Sequence, residues 1–150
     1  MNITWYHKYF NDLTTKELYQ ILQLRNEVFI VEQNCPFQDL DDKDFKCFHL
    51  IGFDTDSQKI MAYTRIVPAG VSYTEASIGR VVTSPQARGE GIGKVLMEKS
   101  IQLLEELYGG VPIRIGAQLY LKIFYESFGF QQVGEIYLED GIEHILMDKI

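Results

Sequence analysis

The run Val81-Val82-Thr83-Ser84-Pro85-Gln86-Ala87-Arg88-Gly89-Glu90-Gly91-Ile92-Gly93-Lys94 passes from a β-prone segment through glycines into an amphipathic stretch. Ile92, Val95, Leu96, Leu103 and Leu107 recur at helical spacing, which puts the glycines at a helix start. There, unpaired N–H groups and the positive end of the helix dipole attract anions. Glycine lets backbone and phosphate touch. The chemistry this segment predicts is the binding of a phosphate or pyrophosphate group.

Three phosphate-binding registers compete. A kinase-type loop with Lys94 as its lysine requires glycine where Arg88 stands and Ser or Thr where Val95 stands. A dinucleotide fingerprint from Gly89 requires a third glycine where Lys94 stands, and no acidic residue closes a βαβ unit downstream. Gln86-x-x-Gly89-x-Gly91 remains. It resembles the acetyl-coenzyme A loop of the GNAT (GCN5-related) N-acetyltransferase superfamily. Phe124-Tyr125-Glu126-Ser127-Phe128-Gly129-Phe130 is similar to the family's helix-to-strand block that follows. Leu24 to Phe37, Ile78-Gly79-Arg80-Val81, Gly116-Ala117-Gln118 and Glu139-Asp140-Gly141-Ile142-Glu143-His144 resemble the ElaA-like branch, with Glu143 standing where that branch carries proline. The resemblance spans nearly the whole chain.

The resemblance implies an α/β fold of the α+β type: one domain over residues 1–150, with a mixed, mainly antiparallel, splayed sheet flanked by helices. It implies acetyl-CoA as co-substrate, no metal, and direct transfer of acetyl to a primary amine within a ternary complex. The pantetheine arm would lie between the strand ending at Thr83 and the strand ending at Gly116. Backbone groups of Val81, Val82 and Thr83 would pair with it and polarise the thioester. Arg88, Gly89, Glu90, Gly91, Ile92, Gly93 and Lys94 would hold the pyrophosphate. Tyr125 looks like the general acid that protonates the leaving thiolate, a task suited to a phenol, which is neutral at pH 7. Its residue pattern alone gives a core tyrosine, since Leu121, Phe124, Tyr125 and Phe128 share an apolar stripe.

Four residues are candidates to accept the amine proton. Glu75 shares a predicted strand face with Ser77, Gly79 and Val81, and Glu32 lies in the branch block. His49 and His144 have the intrinsic affinity for a proton that the task requires, and His144 follows the Asp140-Gly141 turn. A water relay without a dedicated base is the other route. Two further readings compete with N-acetyl transfer: a non-catalytic acyl-CoA-binding or sensor module, and an acyltransferase with a longer acyl chain or a hydroxyl acceptor.

Composition sets the outer limits. A chain of 150 residues, 46% hydrophobic and 13% aromatic, supports one globular domain with a substantial core. Net charge −7, with no Lys/Arg block, argues against nucleic acid or an anionic membrane as partner and suits a cationic small-molecule or peptide amine. Two cysteines and the lack of a signal-like N-terminus make the cytoplasm the default location, and no apolar run reaches the ~18 residues of a membrane span. Asp39, Asp41, Asp42 and Asp44 do not fit a calcium loop, because Asp44 and Leu50 occupy its glycine and glutamate positions. They are expected to form an exposed acidic loop or an acceptor-facing rim. Cys35, His49 and Cys47 carry no thiol-enzyme signature, so buried or incidental thiols are expected.

The elements that must position these groups follow in mixed order. Ile3 to Tyr9 reads as a strand, and Thr14 with Glu17 as a capping box opening a helix that ends near Glu32. Cys47 to Asp54, Lys59 to Val67 and Ala76 to Thr83 read as an antiparallel meander. The cofactor helix runs to about Tyr108, Ile113 to Gly116 is a short buried strand, and the Tyr125 helix stops at Gly129. Phe130 to Leu138 and Ile142 to Asp148 form a hairpin about Asp140-Gly141.

Overall fold

The β-branched and aromatic runs become strands at close to their predicted limits. In a computed structural model that describes residues 1–150, β1 (Ile3–Tyr9), β2 (Phe48–Asp54), β3 (Lys59–Val67) and β4 (Ser77–Thr83) form one antiparallel sheet in that order. A second antiparallel sheet has the order β5 (Ile113–Gln118), β7 (Ile142–Lys149), β6 (Gln131–Glu139). Asp140 and Gly141, both at positive φ, close the β6–β7 hairpin, as a type I′ turn requires. Glu143 sits in regular pairing with Leu138, so the departure from proline leaves the hairpin intact.

Helices cover both faces of the first sheet, which explains why β3 is buried at every residue after Lys59. Successive β3 side chains point to opposite faces. Tyr63 packs with Ile21 and Leu24 of α1 (Thr15–Arg25), whereas Thr64 bonds Ser100 of α2 (Ile92–Tyr108) at 2.8 Å. The Thr14–Glu17 capping box that starts α1 is complete on both sides. The α2 stripe buries Ile92, Leu96, Met97, Leu103 and Leu104 in a core that also takes in residues of both sheets. Val95, expected on that stripe, is instead exposed. No helix is long and apolar enough to cross a membrane.

The helix expected to reach Glu32 changes character at its middle. From Asn26 to Glu32 it widens into π-helical turns, with Gln33 and Cys35 donating five residues back to Val28 and Ile30. The widening turns Phe29, Glu32 and Gln33 toward the gap between the sheets.

The acidic loop departs furthest from expectation. Asp39 and Asp44 are buried, and only Asp42 of the four aspartates is fully exposed. Arg25, wholly enclosed, donates to Asp39 at 3.0 Å and Asp44 at 2.8 Å. Arg65 bonds Asp41 at 2.7 Å and Asp44 at 3.1 Å, and Arg80 bonds Asp39 at 2.7 Å. Three arginines from α1, β3 and β4 thus neutralise three aspartates and strap the loop onto the sheet. Burial by itself would raise the Asp41 and Asp44 carboxyls, but their arginine partners outweigh it and hold both well below the usual range.

Breaking such a network leaves buried charge behind. Arg25→Ala is expected to lower the urea-derived unfolding free energy by about 3–5 kcal/mol. Because the native aspartates are depressed, their contribution is complete above the unfolded value of about 3.9 and drains away as pH falls from there through the native values. Urea midpoints measured across that range should fall more steeply for the wild type than for Arg25→Ala.

Candidate functional site

β4 and β5 run together only at their starts. Ala76 bridges Ile113 in parallel, and its carbonyl accepts from the Arg114 N–H at 2.9 Å. Beyond that point no ladder joins the strands, so the groups each turns toward the other find no strand partner. The gap is a cleft of about 910 Å³ whose walls include Gly79 to Thr83 of β4 and Ile115 to Gln118 of β5.

A bulge sharpens the β4 wall. Tyr63 pairs with Val82 and Arg65 with Gly79, so Arg80 and Val81 together oppose Thr64. Arg80 takes φ +50°, a left-handed conformation that costs a non-glycine residue and persists only where its surroundings enforce it. Here the Arg80 guanidinium is held by Asp39 and Asp41 and lies 5.7 Å from the centre of the Phe37 ring. The bulge re-aims the backbone of Val81, which lines the cleft.

At the far end of β4, Ser84 caps a short turn over Pro85–Ala87, and the chain enters the glycine loop. Gly89 (φ +87°) and Gly91 (φ +72°) both need the left-handed region. A Cβ on Gly89, Gly91 or Gly93 would have no neighbour within 4 Å, so the loop surface is open. In contrast to α1, α2 begins without a side-chain cap and without an acidic residue in its first turn. The starting N–H groups of Ile92, Gly93 and Lys94 are left for an external acceptor.

Arg88 is engaged rather than free. Its guanidinium makes a bidentate pair with Glu32 at 2.8 and 2.6 Å, joining the π-helical turn to the glycine loop across the cleft mouth. Arg88 holds the Glu32 carboxyl below its ordinary value, so this candidate base is a poor proton acceptor. Two others lie outside the cleft. His49 is completely buried between Tyr63 Oη (2.7 Å) and the Asp44 carbonyl (3.0 Å), and burial pushes its affinity for a proton down. Glu75 precedes β4 and faces Arg114 at 3.9 Å, away from the Thr83 end. His144, on β7, lines the cleft.

Tyr125 is held by α3 (Lys122–Glu126) against Phe124 and Phe130, and is 5% exposed. Its residue also forms part of the cleft wall, so the core and site readings are compatible. Burial raises the phenol above its ordinary value, which keeps it protonated at neutral pH. Both cysteines are buried thiols, and burial pushes Cys47 up to about 11. Tyr73, Tyr137 and Arg80 border the site without having been expected there; Tyr73 lies in a Ser/Tyr/Thr loop with no periodicity to mark it.

Residues 42–150 match the model of the acetyltransferase (GNAT) domain. The protein ElaA of Escherichia coli K12 is 42% identical over 149 residues, covering 98% of this chain and 96% of its own. The crystal structure of an acyl-CoA N-acyltransferase from Pseudomonas aeruginosa superposes with a TM-score of 0.94 at 42% identity, covering 99% and 100% of the two chains. That of E. coli ElaA gives 0.91 at 40% identity over 99% of each chain. The splayed sheet, the open glycine loop and near-full-length likeness lead to one conclusion: the chain belongs to the GNAT acetyltransferase family and is an acyltransferase.

Proposed function

We propose that the enzyme transfers acetyl from acetyl-CoA to a primary amine of a small molecule or peptide by direct attack in a ternary complex. The observation that carries this reading is the continuity of one cleft. The uncapped start of α2 lies at one end, the unpaired edges of β4 and β5 form the walls, and Tyr125 borders the same space. The pyrophosphate sits on the N–H groups after Gly91, and pantetheine extends between the strands as an added strand would. Backbone N–H groups at the bulge around Val81 stabilise the oxyanion that forms as the amine attacks. Tyr125 gives its proton to the departing sulfur. Alignment of amine and thioester supplies much of the remaining acceleration.

Transfer to a panel of primary amines, followed by thiol release, tests the reading. Coenzyme A binding without turnover would instead favour a sensor module. Tyr125→Phe is expected to keep coenzyme A affinity and melting temperature while slowing single-turnover transfer by about 10²-fold or more. An unchanged rate would remove the acid role.

Gly91→Glu is expected to abolish coenzyme A binding through backbone strain and like charge, with calorimetry as the readout. Arg88→Ala should weaken binding by about 1.5–3 kcal/mol. Glu32→Gln releases Arg88 from its exposed partner and should tighten binding about two- to five-fold at low salt, the scale of a surface ion pair.

A further inference from the structure

The outer face of the β5-β7-β6 sheet carries side chains that the cofactor half of the cleft leaves unused. His144 stands opposite Gln118 on one side and Tyr137 on the other, so the three side chains share a face. Tyr73, from the loop between β3 and β4, folds over that face. A Cβ placed on Gly116 would lie 2.8 Å from Tyr73 Oη and 3.1 Å from Tyr137 Oη. Only glycine at 116 leaves room for both hydroxyls above the β5 backbone. Burial pushes Tyr137 up to about 12 and raises Tyr73 as well, so both remain neutral hydroxyls.

His144 is 8% exposed and its ring lies 5.9 Å from that of Tyr137. Its Nδ1 is 2.7 Å from the Ile142 carbonyl oxygen; a carbonyl only accepts, so Nδ1 carries the proton and donates. In the neutral ring Nε2 therefore holds the lone pair. It faces Glu139 Oε2 at 3.4 Å, two acceptors with no proton between them. A proton arriving at Nε2 turns this contact into a charge-assisted pair.

We propose that Tyr73, Tyr137, Glu139 and His144 form the acceptor site and select a cationic primary amine, with His144 Nε2 taking its proton. Glu139 draws the ammonium in, and the two hydroxyls orient it. The assignment rests on the acetyl-transfer reading. The ammonium passes one proton to Nε2, and the freed nitrogen pair forms the N–C bond as the carbonyl π pair moves to oxygen. On collapse the C–S bond breaks, its pair stays on sulfur, and sulfur takes the Tyr125 proton. The surplus proton on the acylated nitrogen restores the Tyr125 phenol, and His144 returns its proton to solvent.

The charged and titratable groups around His144 fit this polarity. They are Glu139 and Tyr137 of β6, Tyr73, Asp140 in the turn, and Arg114 beyond Tyr73, while Glu143, the preceding residue of its own strand, points to the opposite face. Arg114 is itself bound to Asp148 at 2.7 and 2.9 Å.

The test uses putrescine, phenethylamine and a lysine-containing peptide as acceptors, with pH profiles of kcat/KM and calorimetric coenzyme A affinity on the same variants. His144→Gln is expected to lower kcat by about 10²-fold or more and to delete the acid limb of the profile, leaving coenzyme A affinity unchanged. Glu139→Gln, at a side chain 60% exposed, should raise the amine KM about two- to five-fold with kcat nearly unchanged, an effect that high salt removes. Should His144→Gln fail to fold, Glu139→Gln and Tyr137→Phe carry the test through KM. Turnover that keeps its rate, acid limb and KM in these variants overturns the acceptor site alone. Coenzyme A binding by a wild type that acetylates none of the amines overturns the acetyl-transfer reading, and the acceptor site with it.

Discussion

The parting of β4 from β5 is the constraint on which the rest of the molecule depends. Two neighbouring strands satisfy each other's backbone only while they stay within hydrogen-bonding distance, and here they do so at a single bridge between Ala76 and Ile113. Past it, polar backbone groups face a gap that side chains do not fill. The two sheets therefore share one core, in which the buried leucines and Met97 of α2 lie with residues of both, rather than a continuous ladder. A fold that spends its central hydrogen bonds this way has built a slot for an extended ligand.

The slot keeps its shape because its β4 wall is anchored from behind. The left-handed Arg80 is strained, and its guanidinium is fixed by the same aspartates that engage Arg25 and Arg65. Removing six charges from water is costly, and a buried pair of this kind contributes modest net stability even when well formed. Its structural effect is to tie α1, β3, β4 and the 37–46 loop to one another.

Electrostatics divide the cleft into two ends. The α2 start has bare N–H groups and no acidic neighbour in its first turn, whereas the hairpin end carries Glu139 and Asp140. Glu32 is the exception, reaching across to occupy Arg88. Tyr125 lines the same cleft, and its burial both packs the core and keeps its phenol protonated. One residue thus satisfies the apolar periodicity of its helix while facing the cleft.

Local chemistry was legible in the residues alone wherever a few consecutive positions decide the conformation. The Thr14–Glu17 box, the Asp140-Gly141 turn and the glycine loop before α2 all form where composition and spacing place them, because their hydrogen bonds and φ angles close within a few residues. Family likeness in the glycine and Tyr125 blocks extended that reading to the whole fold. Tertiary structure decided what depends on distant partners. The aspartate loop is buried because Arg25, Arg65 and Arg80 reach it from 14 to 41 residues away, and no periodicity encodes such a meeting. His49 leaves the set of possible bases through packing against Tyr63, Glu32 through a partner 56 residues on, and His144 enters the cleft through strand register. Residue types thus determine which reactions are available, while long-range charge pairing and register, which no short window of sequence contains, determine which groups meet the substrate.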